Sequence, residues 1–182
     1  MKKRVKKSTE MNKNQLSVIL NDEKWNDYIS DVQELSEEIF ETTVSYLIAN
    51  GLAFDGWGGQ SVSVNLVLSN DEEVRQLNCE FRGKNMPTNV LSFAKVDDPC
   101  FAEDIKETEN VELGDIIVAL ETLKKEADIQ NILLQDHFAH LFVHGILHLY
   151  GYDHIDDDDA EEMEGIEVAV LDKMNICNPY ME

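Results

Sequence analysis

Apolar and polar residues alternate along this chain at two distinct periods. In SVSVNLVLSN the apolar positions Val62, Val64, Leu66 and Leu68 recur every second residue, the spacing of a strand with one buried face. QLSVILND, closed by Asn21-Asp22, reads as an earlier strand, and VLSF and GDIIVAL read as two later ones. The helical period appears in Val32, Leu35, Ile39, Val44 and Leu47, within a segment from about residue 29 to 49. Ser69-Asn70-Asp71 is a cap signal for a helix running to about Phe81, and ETLKKEADIQ follows GDIIVAL as another. Leu133 to Leu149 is a long apolar helix. Asp156 to Met174 is a final one, with an acidic start that suits the positive end of the helix dipole. FDGWGGQ is a turn-rich break.

The segment from Lys95 to Glu112 is acidic, contains Pro99 and has little periodicity, so it is expected to be an exposed excursion. Strands and helices mix without a regular βαβ rhythm. The pattern therefore predicts an α+β fold, a small mixed β-sheet packed with about five helices, in a single domain. A length of 182 residues suits one core. That domain is placed at residues 15–182, after a basic, solvated tail at residues 1–14.

Charge narrows the function classes. The formal net charge is −22, and beyond the tail the cations are few: Lys24, Arg75, Arg82, Lys84, Lys95, Lys106, Lys124, Lys125 and Lys173. Such a surface repels polyanions at long range, so a nucleic-acid site has to be local, built on residues such as Arg82 and Lys84, or helped by a partner. No apolar run approaches the ~18–20 residues needed to span a bilayer, and the basic N-terminus lacks the apolar core of a secretory leader. Cys79, Cys100 and Cys177 are scattered and form no CxxC pair. They are read as small, partly buried hydrophobes in a reducing compartment, which points to the cytoplasm and to no membrane partner.

The chemistry concentrates in HGILHLYGYDH. Three of five histidines, His144, His148 and His154, lie within eleven residues. His144 and His148 are four apart, so a helix stacks them on one side, and Gly151 can end that helix in a left-handed turn that brings His154 back. Three neutral imidazoles and an open fourth position describe a catalytic zinc site at the end of the long helix. Nickel and iron also accept imidazole. His140, one turn earlier, is either a hydrogen-bonded neighbour of the site or a core histidine, and His137 is expected at the surface. The spacing equals that of the zincin pattern HExxHxxGxxH, but Gly145 stands where a peptidase carries its glutamate base. In the last helix Met163, Ile166, Val170 and Met174 are expected in the core, and the acidic run Asp156 to Glu167 is expected to be a solvated helix start.

HGILHLYGYDH followed by IDDDDAEEME, with LNCEFRGKNMPTNVLSF and ELGDIIVA upstream, resembles the YbeY endoribonuclease family from about residue 16 onward. The resemblance implies a small mixed sheet holding one metal, with His144, His148 and His154 as ligands and His144 and Arg82 as catalytic residues. It implies a single-strand-specific, zinc-dependent endoribonuclease acting in 16S rRNA 3′-end maturation and in ribosome quality control. Partners would be single-stranded RNA, ribosomal RNA and ribosomal proteins or a ribosome-associated GTPase, with no DNA expected. Arg82 suits a phosphate by bidentate hydrogen bonding, although by spacing alone it is equally a surface ion-pair residue. Lys84, Thr88, Asn89 and Ser92 are candidate substrate-binding residues; Thr88 and Asn89 are also ordinary turn residues. Asp153 and Asp115 are candidate bases or ligand-orienting carboxylates. Two other functions stand beside this one: a zinc peptidase-like hydrolase, and a non-catalytic ribosome-assembly factor with a structural metal.

Overall fold

The computed structural model describes residues 13–53 and 57–181, so almost all of the basic tail lies outside the described residues. The chain forms β1 (Gln15–Leu20), a single-turn α1 (Trp25–Tyr28), α2 (Val32–Ala49), β2 (Ser61–Ser69) and α3 (Asp71–Arg82). Then follow β3 (Val90–Ala94), a single-turn α4 (Phe101–Asp104), β4 (Asn110–Ala119), α5 (Leu120–Gln130), α6 (Leu134–Leu149) and α7 (Asp157–Lys173). The four strands make one sheet in the order β1-β2-β4-β3. β1, β2 and β4 run parallel, and β3 pairs antiparallel to β4 at an edge. This is the small mixed sheet with five long helices that the periodicity predicts.

The alternation in β2 sorts the two faces. Val62, Val64, Leu66 and Leu68 are fully buried in the main core, which they share with Ile39, Phe40, Val44 and Leu47 of α2 and the apolar residues of α6 and α7. Val67 turns to the other face, where Val74 and Leu77 of α3 cover Leu91, Phe93, Ile117 and Ala119. Asn70 caps α3 as expected, its side chain accepting from the Glu73 N–H. Trp25 donates its indole N–H to the Ser69 carbonyl (2.9 Å) and packs edge-on against Phe138, tying the turn after β1 to α6.

Two expectations change. The acidic excursion after β3 is anchored rather than freely exposed: Phe101 and Ile105 are buried in the main core. Four residues apart on successive turns of helix, they reach inward together while the acids between them face water. The cysteines are not buried; Cys79, Cys100 and Cys177 are all exposed and free.

One backbone feature brings the edge strand up to α6. The register between β2 and β4 shifts so that Ser63 pairs with Glu112 but Val64 with Gly114, leaving Leu113 as the extra residue of a bulge. Gly114 has φ +135°, and a β-carbon there would meet the Phe93 carbonyl oxygen at 2.0 Å and Leu149 at 3.3 Å. Only glycine lets β3 and the end of α6 close on this point. Gly114→Ala is therefore expected to lower stability by about 3 kcal/mol through backbone strain and overpacking, measurable by urea denaturation.

Candidate metal centre

α6 is buried over most of its circumference, yet it carries four histidines. Its last turn closes in a Schellman arrangement: the Gly151 N–H donates to the His148 carbonyl (2.9 Å) and the Tyr152 N–H to the Leu147 carbonyl (3.1 Å). Gly151 adopts φ +89°, the left-handed conformation anticipated from its position in the motif. The reversed chain is then fixed by the Tyr152 hydroxyl, which donates to the Leu52 carbonyl across the molecule (2.9 Å). His154 thereby returns to face His144 and His148, with ring centroids 5.3 and 5.2 Å away. One ligand atom from each of the three histidines lies within 4.8 Å of the other two, so the cluster can hold a metal ion.

The hydrogen bonds around the rings decide which nitrogens face inward. His144 Nδ1 lies 2.8 Å from Glu167 Oε1, and His148 Nδ1 lies 2.9 Å from the Tyr152 carbonyl. An ionised carboxylate and a carbonyl only accept, so both Nδ1 atoms carry the proton and donate it. Burial, then the neighbouring His144, pushes the His148 pKa below its ordinary value, which favours the neutral ring. Both Nε2 atoms therefore face the cleft, 3.0 Å apart. With the third imidazole close by, this donor set fits a metal ion, and the partner of the other ring nitrogen orients His144 and His148.

Glu167 was expected among the solvated acids; the structure places it fully buried in α7. Burial alone would push its pKa up. Hydrogen bonds from His140, His144 and Tyr180 more than offset that and lower it to about 2. His140 is thus a hydrogen-bonded neighbour of the site, its Nε2–H donating to Glu167 Oε2 (2.9 Å). His137, expected at the surface, is also buried, because its Nε2–H is taken by Glu126 Oε2 of α5 (2.9 Å). Met163, Ile166 and Val170 are core residues as expected.

The histidines open onto a cleft of about 420 Å³ whose walls include Arg82, Thr88, Asn89, Ser92, Asp97 and Asp153. Arg82 is the last residue of α3, where hydrogen bonds from the Gly83 and Lys84 N–H groups to the Cys79 and Asn78 carbonyls turn the chain. The Asn78 amide pins the next loop by donating to the Met86 carbonyl (2.7 Å). Arg82 has no ion-pair partner among the described residues, unlike Arg75, which is bound to Glu72. The Asn89 side chain is held on both sides: its amide donates to Glu126 Oε2 (3.0 Å) and its oxygen accepts from the Val90 N–H (2.7 Å). Lys84 is exposed and outside the cleft lining; Asp115 is also outside it, accepting from the Asn65 amide (2.8 Å). Asp153 lines the cleft and accepts the His154 N–H (2.8 Å).

The family model described as endoribonuclease YbeY matches residues 20–175. The chain belongs to the endoribonuclease YbeY family. A relative of that name from Sinorhizobium fredii is 41% identical over 150 residues, covering 82% of this chain and 83% of its own. Another, from Allorhizobium ampelinum, is 35% identical over 170 residues, covering 93% and 96%. A third, from Paramagnetospirillum magneticum, is 49% identical over 123 residues, covering 66% and 73%. The solution structure of a Thermotoga maritima protein matches with a TM-score of 0.51 at 24% identity, over 92% of this chain and all of that one, a likeness of fold.

Within this YbeY chain, packing accounts for Gly145. A β-carbon there would lie 3.0 Å from Ile116 Cγ2, 3.1 Å from Ile116 Cδ1 and 3.2 Å from Ser92 Oγ. A side chain on the residue after the first histidine would press on Ile116 and Ser92, which would have to give by a few tenths of an ångström. Restoring the peptidase pattern with Gly145→Glu should cost about 3 kcal/mol from overpacking and a buried charge, and should give no peptide cleavage. Chemical denaturation beside a peptide-hydrolysis assay checks both.

Proposed function

We propose that this chain is a single-strand-specific, metal-dependent endoribonuclease acting in 3′-end maturation of small-subunit ribosomal RNA and in ribosome quality control, in the cytoplasm. The endoribonuclease relatives support the class of reaction. The observation that carries it onto this chain is the cluster of three imidazoles, with the His144 and His148 Nε2 atoms 3.0 Å apart, in the same cleft as Arg82. His144, His148 and His154 are the proposed ligands and zinc the proposed ion, with nickel and iron as the other metals that three imidazoles suit. Bound there, zinc supplies Lewis-acid polarisation and makes water reactive near neutral pH.

The chain's own residues do the rest. Arg82 holds the phosphodiester through paired N–H donors, and its fixed charge offsets the negative charge that grows on the phosphoryl oxygens. Ser92 and Thr88 present hydroxyls to the same cleft, and Asn89 presents an amide whose orientation Glu126 and Val90 have already set. Lys84 adds positive charge on the approach to Arg82. The net charge of −22 favours delivery of the RNA by ribosomal proteins or a ribosome-associated GTPase over unaided capture of free RNA.

The test is cleavage of a single-stranded RNA by purified protein beside His148→Ala and Arg82→Ala, each with metal content determined. The wild type should hold about one metal ion and cut. His148→Ala should lose both metal and cleavage. Arg82→Ala should keep its metal and lose about 10²–10³-fold in turnover, the scale of one charge-stabilising donor. Equal cutting by wild type and His148→Ala, or none by metal-loaded wild type, would reject the proposal in favour of a non-catalytic assembly factor.

A further inference from the structure

We propose that Tyr180, in the segment after α7, is a positioning residue for the metal centre, acting on His144 through Glu167. The inference rests on His144 being a metal ligand, as proposed above. The Glu167 side chain is 1% exposed and its two oxygens are divided between different donors. Among the described residues, Oε1 accepts only from His144 Nδ1–H (2.8 Å). Oε2 accepts from His140 Nε2–H (2.9 Å) and from the Tyr180 hydroxyl. With both other donors on Oε2, the carboxylate is held in the one orientation that leaves Oε1 for the ligand.

The placement of Tyr180 shows what the residue is for. The Asn178 side chain accepts the Tyr180 N–H (2.8 Å), which turns the chain back towards α6, and the ring stands edge-on to His140 at 5.5 Å. Yet Tyr180 is 42% exposed, so its ring adds little to the core, while its hydroxyl reaches one of the most deeply buried carboxylates in the protein. A phenol placed this way serves through its O–H. The path is continuous: Tyr180 O–H to Glu167, Glu167 to His144 Nδ1–H, and the ring of His144 to the Nε2 that faces the metal position. Loss of the hydroxyl leaves Oε2 to His140, lets the carboxylate turn and loosens the ring. Direct hydrogen-bond partners of metal-bound histidines are worth about 10–100-fold in metal affinity, and a residue one bond further out belongs at about 10-fold.

Tyr180→Phe keeps the ring and removes only the donor. Metal-free wild type and variant would be titrated with zinc against a chromophoric chelator, with cobalt(II) absorbance as a second report on ligand geometry and the melting temperature of each metal-free protein recorded. The expected result is zinc affinity about 10-fold weaker and an altered cobalt spectrum, with a lower metal-free melting temperature from the lost hydrogen bond to a buried carboxylate. Glu167→Gln should weaken zinc further. Unchanged zinc affinity in Tyr180→Phe, or a cobalt spectrum identical to that of the wild type, would overturn the inference while leaving the ribonuclease reading intact. Failure of the wild type to bind zinc would overturn it together with the proposed metal centre.

Discussion

Burial of α6 is the constraint from which the site follows. A helix enclosed by the sheet, α2, α5 and α7 buries its imidazoles at a cost that a polar partner offsets, and each of its histidines has one. Glu126 answers His137, Glu167 answers His140 and His144, and the Tyr152 carbonyl answers His148. For the two ligand candidates those partners also choose the tautomer. The need to satisfy Nδ1 inside the protein turns Nε2 towards the cleft. Fold stability and ligand readiness are here consequences of the same bonds.

The sheet imposes the complementary constraint. α6 lies so close to β3 and β4 that a β-carbon at position 145 would press on Ile116 and Ser92, and the bulge at Leu113 with Gly114 allows the strand edge to come up against Leu149. The histidine spacing shared with zincins therefore sits on a different support. A peptidase needs the side of the helix one residue past its first histidine to be open; here that side is the packed one. The charged group opposite the histidines comes instead from the end of α3, as Arg82, and it is a cation suited to phosphate rather than a base suited to peptide hydrolysis.

Much of this was legible in the residues. The period-two run in β2, the cap at Asn70, the apolar length of α6 and the glycine that ends it each have a local cause, and local causes can be read from a sequence. Glu167 was harder because it follows a run of acids that do face water. Its signal was positional: it lies four residues after Met163 and three before Val170, on the stripe that packs. A charged residue on an apolar stripe is either an error of register or a partner for something buried, and four histidines on the neighbouring helix were the candidates. Phe101 and Ile105 were hidden differently, by Pro99 and flanking acids that mask a two-residue anchor too short to show periodicity. The exposure of the cysteines, and the burial of His137 against Glu126, depend on how α3, α5 and α6 meet, which no local pattern reports.

The acidity of the chain and a phosphate-binding cleft are compatible because they act over different distances. At physiological ionic strength fields from exposed charges fade over about 8 Å, so the distributed charge of −22 governs approach, while Arg82 acts at contact. At contact Arg82 is available: like Lys84, Lys106 and Lys125 it is without an ion-pair partner among the described residues, whereas Arg75, Lys24 and Lys95 are each bound to acids. An arginine left unpaired amid so many carboxylates remains free to meet an incoming anion. A net charge of this sign gives an RNA no long-range steering, which is what the proposed delivery by a ribosomal partner would supply.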